Sequence, residues 1–142
     1  MQPIEIKPGI FFIGVNDEKT ELFEGIWPIR REGISYNSYL IRDDKNVLID
    51  LCKDITSDDY FSQLQQVIDP VRIDYMVINH MEPDHTGAIE RLRQLNPQVI
   101  LLASEKAKDM LSSFYGIHDA IQAVSENEIL PLGGHTLQFF ST

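Results

Sequence analysis

The run His80-Met81-Glu82-Pro83-Asp84-His85 sets two imidazoles and two carboxylates within six residues, directly after the apolar stretch Tyr75-Met76-Val77-Ile78. That is more ligand capacity than one metal ion needs, so two ions are the natural reading. In extended backbone, residues two apart share a side, which puts His80 and Glu82 together. Pro83 favours a turn that swings Asp84 and His85 toward a second ion. With no thiolate the set is hard: it suits iron or manganese and accepts zinc. The carboxylate at position 82 adds negative charge, which stabilises the oxidised state of a redox metal and favours iron. A solvated turn would account for any one of these residues alone. Four of them at the exit of a buried strand, where α/β sheets bind ligands, read as a site.

The elements that would carry this run follow from periodicity and turn chemistry. Ile4 to Ile6 and Ile10 to Val15 read as short strands around Pro8-Gly9. Residues 16–33 read as a long polar loop and a candidate pocket wall. Ile34 to Ile41 and Val47 to Leu51 form a second hairpin around Asp43-Asp44-Lys45-Asn46. Ser57 is the expected N-cap of a helix carrying Phe61, Leu64, Val67 and Ile68 that stops at Pro70. A strand over 75–78 then delivers the ligand run, and a helix is expected from Thr86 to Leu95. Gly87 would let the backbone approach the metals. Val99 to Leu102 reads as a strand. Ser104 caps a helix with Ala107, Met110, Leu111 and Phe114 on one stripe, stopped by Gly116, and short strands follow around 121–124, 128–132 and 136–140. Hairpins followed by alternating strand and helix predict an α/β domain with helices on one face of a mixed sheet. The other face then needs a second sheet or a partner.

Composition narrows the partners. The chain has 142 residues with 12 basic and 22 acidic side chains, a net charge of −10, which opposes nucleic-acid binding. No segment has the length of a membrane span, and the N-terminus lacks the pattern of a signal peptide. The lone Cys52 excludes an internal disulfide and fits a reducing compartment, with the cytoplasm as the expectation.

The stretch from His80 to Gly87 resembles the signature of the flavodiiron proteins, a branch of the metallo-β-lactamase superfamily in which the middle histidine of the hydrolases is replaced by glutamate. The segments Gly33 to Ile41 and Val47 to Asp50 resemble the early strand pair of that family, and the similarity spans nearly the whole chain. The resemblance implies a metallo-β-lactamase-like αββα sandwich, of which residues 1–142 are the N-terminal part, with no flavodoxin domain among them. It implies two iron ions, with His80 and Glu82 on one, Asp84 on the other and His85 beside them. It places the remaining ligands after Thr142, so that residues 1–142 alone are expected to hold metal weakly. It further implies reduction of O2 to water or NO to N2O, electrons from FMN on a separate domain, a homodimer, and a flavoprotein or rubredoxin-like electron donor. Where the family often carries a histidine in its early loop, this chain has Phe23-Glu24-Gly25.

Two other functions fit the same residues: a di-iron oxygen sensor or carrier without turnover, and a binuclear zinc hydrolase of the same superfold, against which Glu82 argues. His135 and His118 are expected outside the site. Asn79 is expected to orient His80 by a hydrogen bond. Trp27 and Tyr36 are expected to pack, and Cys52 to be an inert, buried thiol.

Overall fold

The computed structural model describes residues 2–23 and 25–141. Strands β1 (Ile4–Lys7) and β2 (Ile10–Phe12) pair antiparallel around Pro8-Gly9. Gly9 has φ +76°, and a Cβ on it would meet the Arg42 carbonyl at 2.8 Å. The apolar run expected to continue to Val15 breaks at Ile13-Gly14, and β3 (Val15–Asp17) leaves the main sheet. The segment after it is no bare loop. It holds a small hairpin, β4 (Leu22–Phe23) with β5 (Trp27–Pro28), and returns through β6 (Ile34–Tyr36) to pair with β3. The stretch expected as one strand to Ile41 is also broken, at Asn37-Ser38, before β7 (Tyr39–Ile41). The two breaks face one another: the Ile13 N–H donates to the Ser38 carbonyl at 2.8 Å, so both strands bend together.

After β7 come β8 (Val47–Ile49), α1 (Ser57–Val67), β9 (Tyr75–Val77), α2 (Pro83–Thr86), α3 (Ile89–Leu95), β10 (Ile100–Ala103), α4 (Glu105–Tyr115) and β11 (Ile121–Ala123). The main sheet has the order β1-β2-β7-β8-β9-β10-β11, antiparallel up to β8 and parallel from β8 to β11. Each parallel crossover carries a helix, as such connections require.

Three local expectations need correction. Ser57 is the first helical residue of α1 and not its cap; Thr56 holds the cap position, and the Ser57 hydroxyl accepts instead from Arg91 at 3.0 Å. The helix expected over 86–95 is two, separated at Gly87-Ala88. Gly87 has an ordinary φ of −56°, and its lack of a side chain serves packing: a Cβ would meet the Asp54 nitrogen at 2.7 Å and the Pro83 carbonyl at 2.6 Å. The glycine thus seats α2 on the segment after β8. The end of α4 follows the sequence closely, with Ser104 accepting from the Ala107 N–H and Gly116 in the left-handed conformation at the C-terminus.

The core lies between the sheet and one layer of helices. Leu40, Leu48, Met76 and Leu101 from the strands meet Tyr60, Phe61 and Leu64 of α1, Ile89 and Leu92 of α3, and Leu111 of α4. The opposite sheet face carries Ile41, Val47, Val77 and Leu102, and a second hairpin, β12 (Ile129–Pro131) with β13 (Thr136–Gln138), lays Leu130, Leu132, Leu137 and Phe139 against it. The need for a second layer there, expected from the one-sided helices, is met in part by this hairpin. Its turn is clasped by Asp43, which accepts from the Gly134 N–H at 3.0 Å and the His135 N–H at 2.7 Å, while its Oδ2 lies 2.6 Å from His135 Nδ1. These contacts hold the Asp43 carboxyl well below the usual carboxylate range.

The excursion between β3 and β6 is anchored by one carboxylate. Asp17 is fully buried and accepts from the Tyr36 hydroxyl at 2.8 Å, from the Lys19 and Thr20 amides at 2.9 Å each, and from the Thr20 hydroxyl. Burial pushes its pKa up, and these donors together outweigh that, bringing it to about 2. Tyr36 is buried as expected, whereas Trp27 is 62% exposed on the small hairpin. The stabilisation from Asp17 is expected to be fully present above about pH 4 and to be lost as the pH falls toward its folded pKa of about 2. Asp17→Ala strands a buried hydroxyl and two amides and is expected to cost about 2–3 kcal/mol at neutral pH in urea denaturation, with the deficit shrinking in acid.

Candidate metal centre

Parallel pairing of β8 with β9, in the register Ile49↔Val77, brings the carboxyl ends of both strands to one edge. The ligand run leaves β9 there. Asp50, the residue after β8, is at the same edge in the left-handed conformation, φ +54°, which Asp tolerates better than most residues. Its N–H donates to the Val77 carbonyl at 2.9 Å, and its Oδ1 accepts from the Asn79 N–H at 2.8 Å. The Asn79 main chain is thus tied to Asp50, and the hydrogen bond expected from Asn79 to His80 is not found among the described residues.

Of the four predicted ligands, three converge. His80, Glu82 and Asp84 each offer a donor atom, and these atoms lie within 4.8 Å of one another. His80 Nε2 is 3.2 Å from Glu82 Oε2, and about half of each of these two side chains is exposed. His85 borders the group: its Nε2 is 3.4 Å from Asp84 Oδ2, and its ring lies 5.4 Å from that of His80, nearly perpendicular to it. Its Nδ1 is buried without a hydrogen-bond partner, and the nearest carboxylate, Asp50 Oδ2, is 3.6 Å away. Burial raises the Asp50 pKa, opposed by the amide of Asn79 and by the facing histidine His85. Asp50 thus lies behind one imidazole nitrogen and Asp84 before the other, with Asp50 just beyond hydrogen-bond distance.

The donor set fits the metals that the sequence suggests. It is all nitrogen and oxygen, and the side chains of His80 and Glu82 are about half exposed. Cys52 is fully buried, and burial lifts its thiol to about 12, so it adds no sulfur ligand. His135 sits with Asp43 at the turn leading into β8, the end of the sheet opposite the ligand run. The ligand backbone is braced from below: the Leu51 N–H donates to the His85 carbonyl at 2.9 Å, and the Thr86 hydroxyl lies 3.1 Å from the Glu82 carbonyl and 2.7 Å from the Tyr115 hydroxyl. Of Phe23-Glu24-Gly25, Phe23 packs partly against the core, while Glu24 lies outside the described residues, as does Thr142. Sequence reasoning missed Asp50 as a site residue. The available signal was a lone carboxylate ending an apolar strand that neighbours the ligand-bearing one.

The family model described as ODP family beta lactamase matches residues 34–142. The chain belongs to this family. Its relatives include a flavo-diiron protein of Clostridium acetobutylicum, 39% identical over 98% of this chain and 35% of the relative, and a nitric oxide reductase of Moorella thermoacetica, 34% identical over 97% of this chain and 35% of the relative. Among solved structures, the rubredoxin oxygen:oxidoreductase of Desulfovibrio gigas superposes with a TM-score of 0.91 at 31% identity, over 98% of this chain and 35% of that one. This ODP-family chain is thus a flavodiiron-type sequence with a metallo-β-lactamase-like fold, and it spans about a third of the length of the relatives it matches. Among the described residues, no helix is long and apolar enough to cross a membrane.

Asp50→Ala removes the Asn79 acceptor and puts a less tolerant residue at positive φ. It is expected to lower stability by about 2 kcal/mol in urea denaturation, whereas Asp50→Asn, which keeps an acceptor and tolerates this backbone, costs less than about 1 kcal/mol.

Proposed function

We propose that residues 1–142 are the N-terminal part of a flavodiiron-type oxidoreductase, and that His80, Glu82, Asp84 and His85 are ligands of a di-iron centre that reduces O2 or NO. The observation that carries the reading is the convergence of His80, Glu82 and Asp84 donor atoms within 4.8 Å at the carboxyl edge of the sheet, with a carboxylate at position 82. In this reading His80 and Glu82 serve one iron and Asp84 the other, with His85 beside Asp84. Bound there, two ferrous ions supply electrons and Lewis acidity to a diatomic ligand.

The chain's own residues would do the positioning. Glu82 contributes negative charge that favours the oxidised metal, and Asp50 faces the Nδ1 of His85 so that Nε2 is free toward the metals. The partial exposure of His80 and Glu82 leaves room for a gas molecule to enter. In the whole protein, electrons would come through FMN on a further domain, within a homodimer, from a flavoprotein or a rubredoxin-like donor. The relatives named nitric oxide reductase and rubredoxin oxygen:oxidoreductase support both gases as substrates of the class.

Metal analysis tests the assignment. The whole protein, expressed without added metal and purified anaerobically, is expected to carry iron in preference to zinc and to consume O2 or NO over many turnovers when supplied with a reductant and a flavin donor, whereas residues 1–142 alone are expected to hold metal weakly. Two zinc ions with esterase or lactonase activity would overturn the reading, and a stable oxygen adduct without turnover would replace reductase with carrier. Glu82→His, which restores an all-imidazole pair, is expected to shift the metal content toward zinc and to cut gas reduction at least tenfold.

A further inference from the structure

Two fully buried hydroxyls end on the carbonyl of Asp50. Ser38, at the break between β6 and β7, donates to that carbonyl at 2.8 Å, and its Oγ lies 2.7 Å from the hydroxyl of Tyr60 on α1. The direction of the chain follows from proton counting. A carbonyl only accepts, so the single Ser38 proton is committed to Asp50, and Tyr60 must donate to Ser38. Burial drives the Tyr60 phenol far above its ordinary range, so its proton is always present.

The carbonyl held in this way shares its peptide plane with the Leu51 N–H, and that N–H donates to the His85 carbonyl at 2.9 Å. One rigid plane is therefore pinned by Ser38 at one end and grips the ligand run at the other. The same residue's side chain accepts from the Asn79 N–H, one position before His80. Asp50 is at φ +54°, a conformation that surrounding contacts must maintain. If the plane rotates, the Leu51 N–H turns away from the His85 carbonyl, and Asp50 loses the main-chain contact that holds its Cα and side chain beside Asn79.

We propose that Ser38 and Tyr60 are positioning residues for the metal-ligand run, acting through the Asp50–Leu51 peptide plane; this rests on the metal-centre reading above. Their hydroxyls touch neither metal nor substrate, and their effect is to fix where the backbone of residues 79–85 presents its side chains.

Amide hydrogen exchange on the metal-free protein and Co(II) titration followed by its visible absorption test the proposal together. Ser38→Ala and Tyr60→Phe are expected to speed exchange at the Leu51 and Asn79 amides at least tenfold relative to the Leu92 amide in α3, and to weaken Co(II) binding by roughly 10–100-fold with a changed absorption band. Ser38→Thr, which keeps the hydroxyl, is expected to restore both. Leu64→Ala, a core truncation, serves as the control for plain destabilisation and is expected to leave the Co(II) band unchanged. Exchange that rises uniformly across the protein, or unaltered Co(II) affinity in both hydroxyl variants while Glu82→Ala abolishes binding, would overturn the positioning role. Unaltered binding in Glu82→Ala would overturn the metal-centre reading, and the proposal with it.

Discussion

Parallel pairing of β8 with β9 is the constraint on which the site depends. Parallel strands end at the same edge, so the pairing brings Asp50 and the ligand run side by side although they are far apart in sequence. Because α1 forms the crossover, it also carries Tyr60 beneath the same edge. An antiparallel partner would have put the exit of β8 at the other end, where Asp43 and His135 meet. The chain uses its two sheet ends differently: one is tied by the Asp43–His135 clasp, and the other presents the half-exposed side chains of His80 and Glu82.

How much was legible in the sequence depended on whether local residues or distant partners decided the outcome. The convergence of His80, Glu82 and Asp84 could be read because these side chains are close in sequence and follow a strand whose apolar character is local. The helices over 57–67 and 105–115 were legible for the same reason, their apolar spacing lying within a few residues, and for the second so did both end signals. The breaks at Gly14 and Ser38 were not, since each is made by the other across the sheet. The packing role of Gly87 was hidden because the surface it approaches, the backbone around Asp54, is more than thirty residues away. Asp50 escaped notice because a single carboxylate at a strand end acquires its meaning only from the neighbouring strand.

The same distinction separates the two faces of the sheet. The helical face is a closed core of large aliphatic and aromatic side chains, with buried polar groups such as Asp17, Ser38 and Tyr60 each given partners. This satisfies the rule that polar atoms taken from water must find new bonds. Among the described residues two buried side-chain atoms lack such a partner, Gln63 Oε1 on α1 and His85 Nδ1, and the latter lies 3.6 Å from the Asp50 carboxylate at the candidate site.

The Asp43 clasp has a consequence for the order in which the molecule forms. It joins positions 91 and 92 residues apart, the longest separations among the side-chain hydrogen bonds described above. Closing so long a loop costs more chain entropy than joining β8, β9 and β10, whose partners are much nearer in sequence. The sheet and its helical layer can therefore assemble while the hairpin of β12 and β13 is still free, and the hairpin docks on a finished surface. Contacts made that late affect the rate of unfolding more than the rate of folding. A clasp closed in that order acts on unfolding as a latch for the second layer, apart from the edge where His80, Glu82 and Asp84 meet.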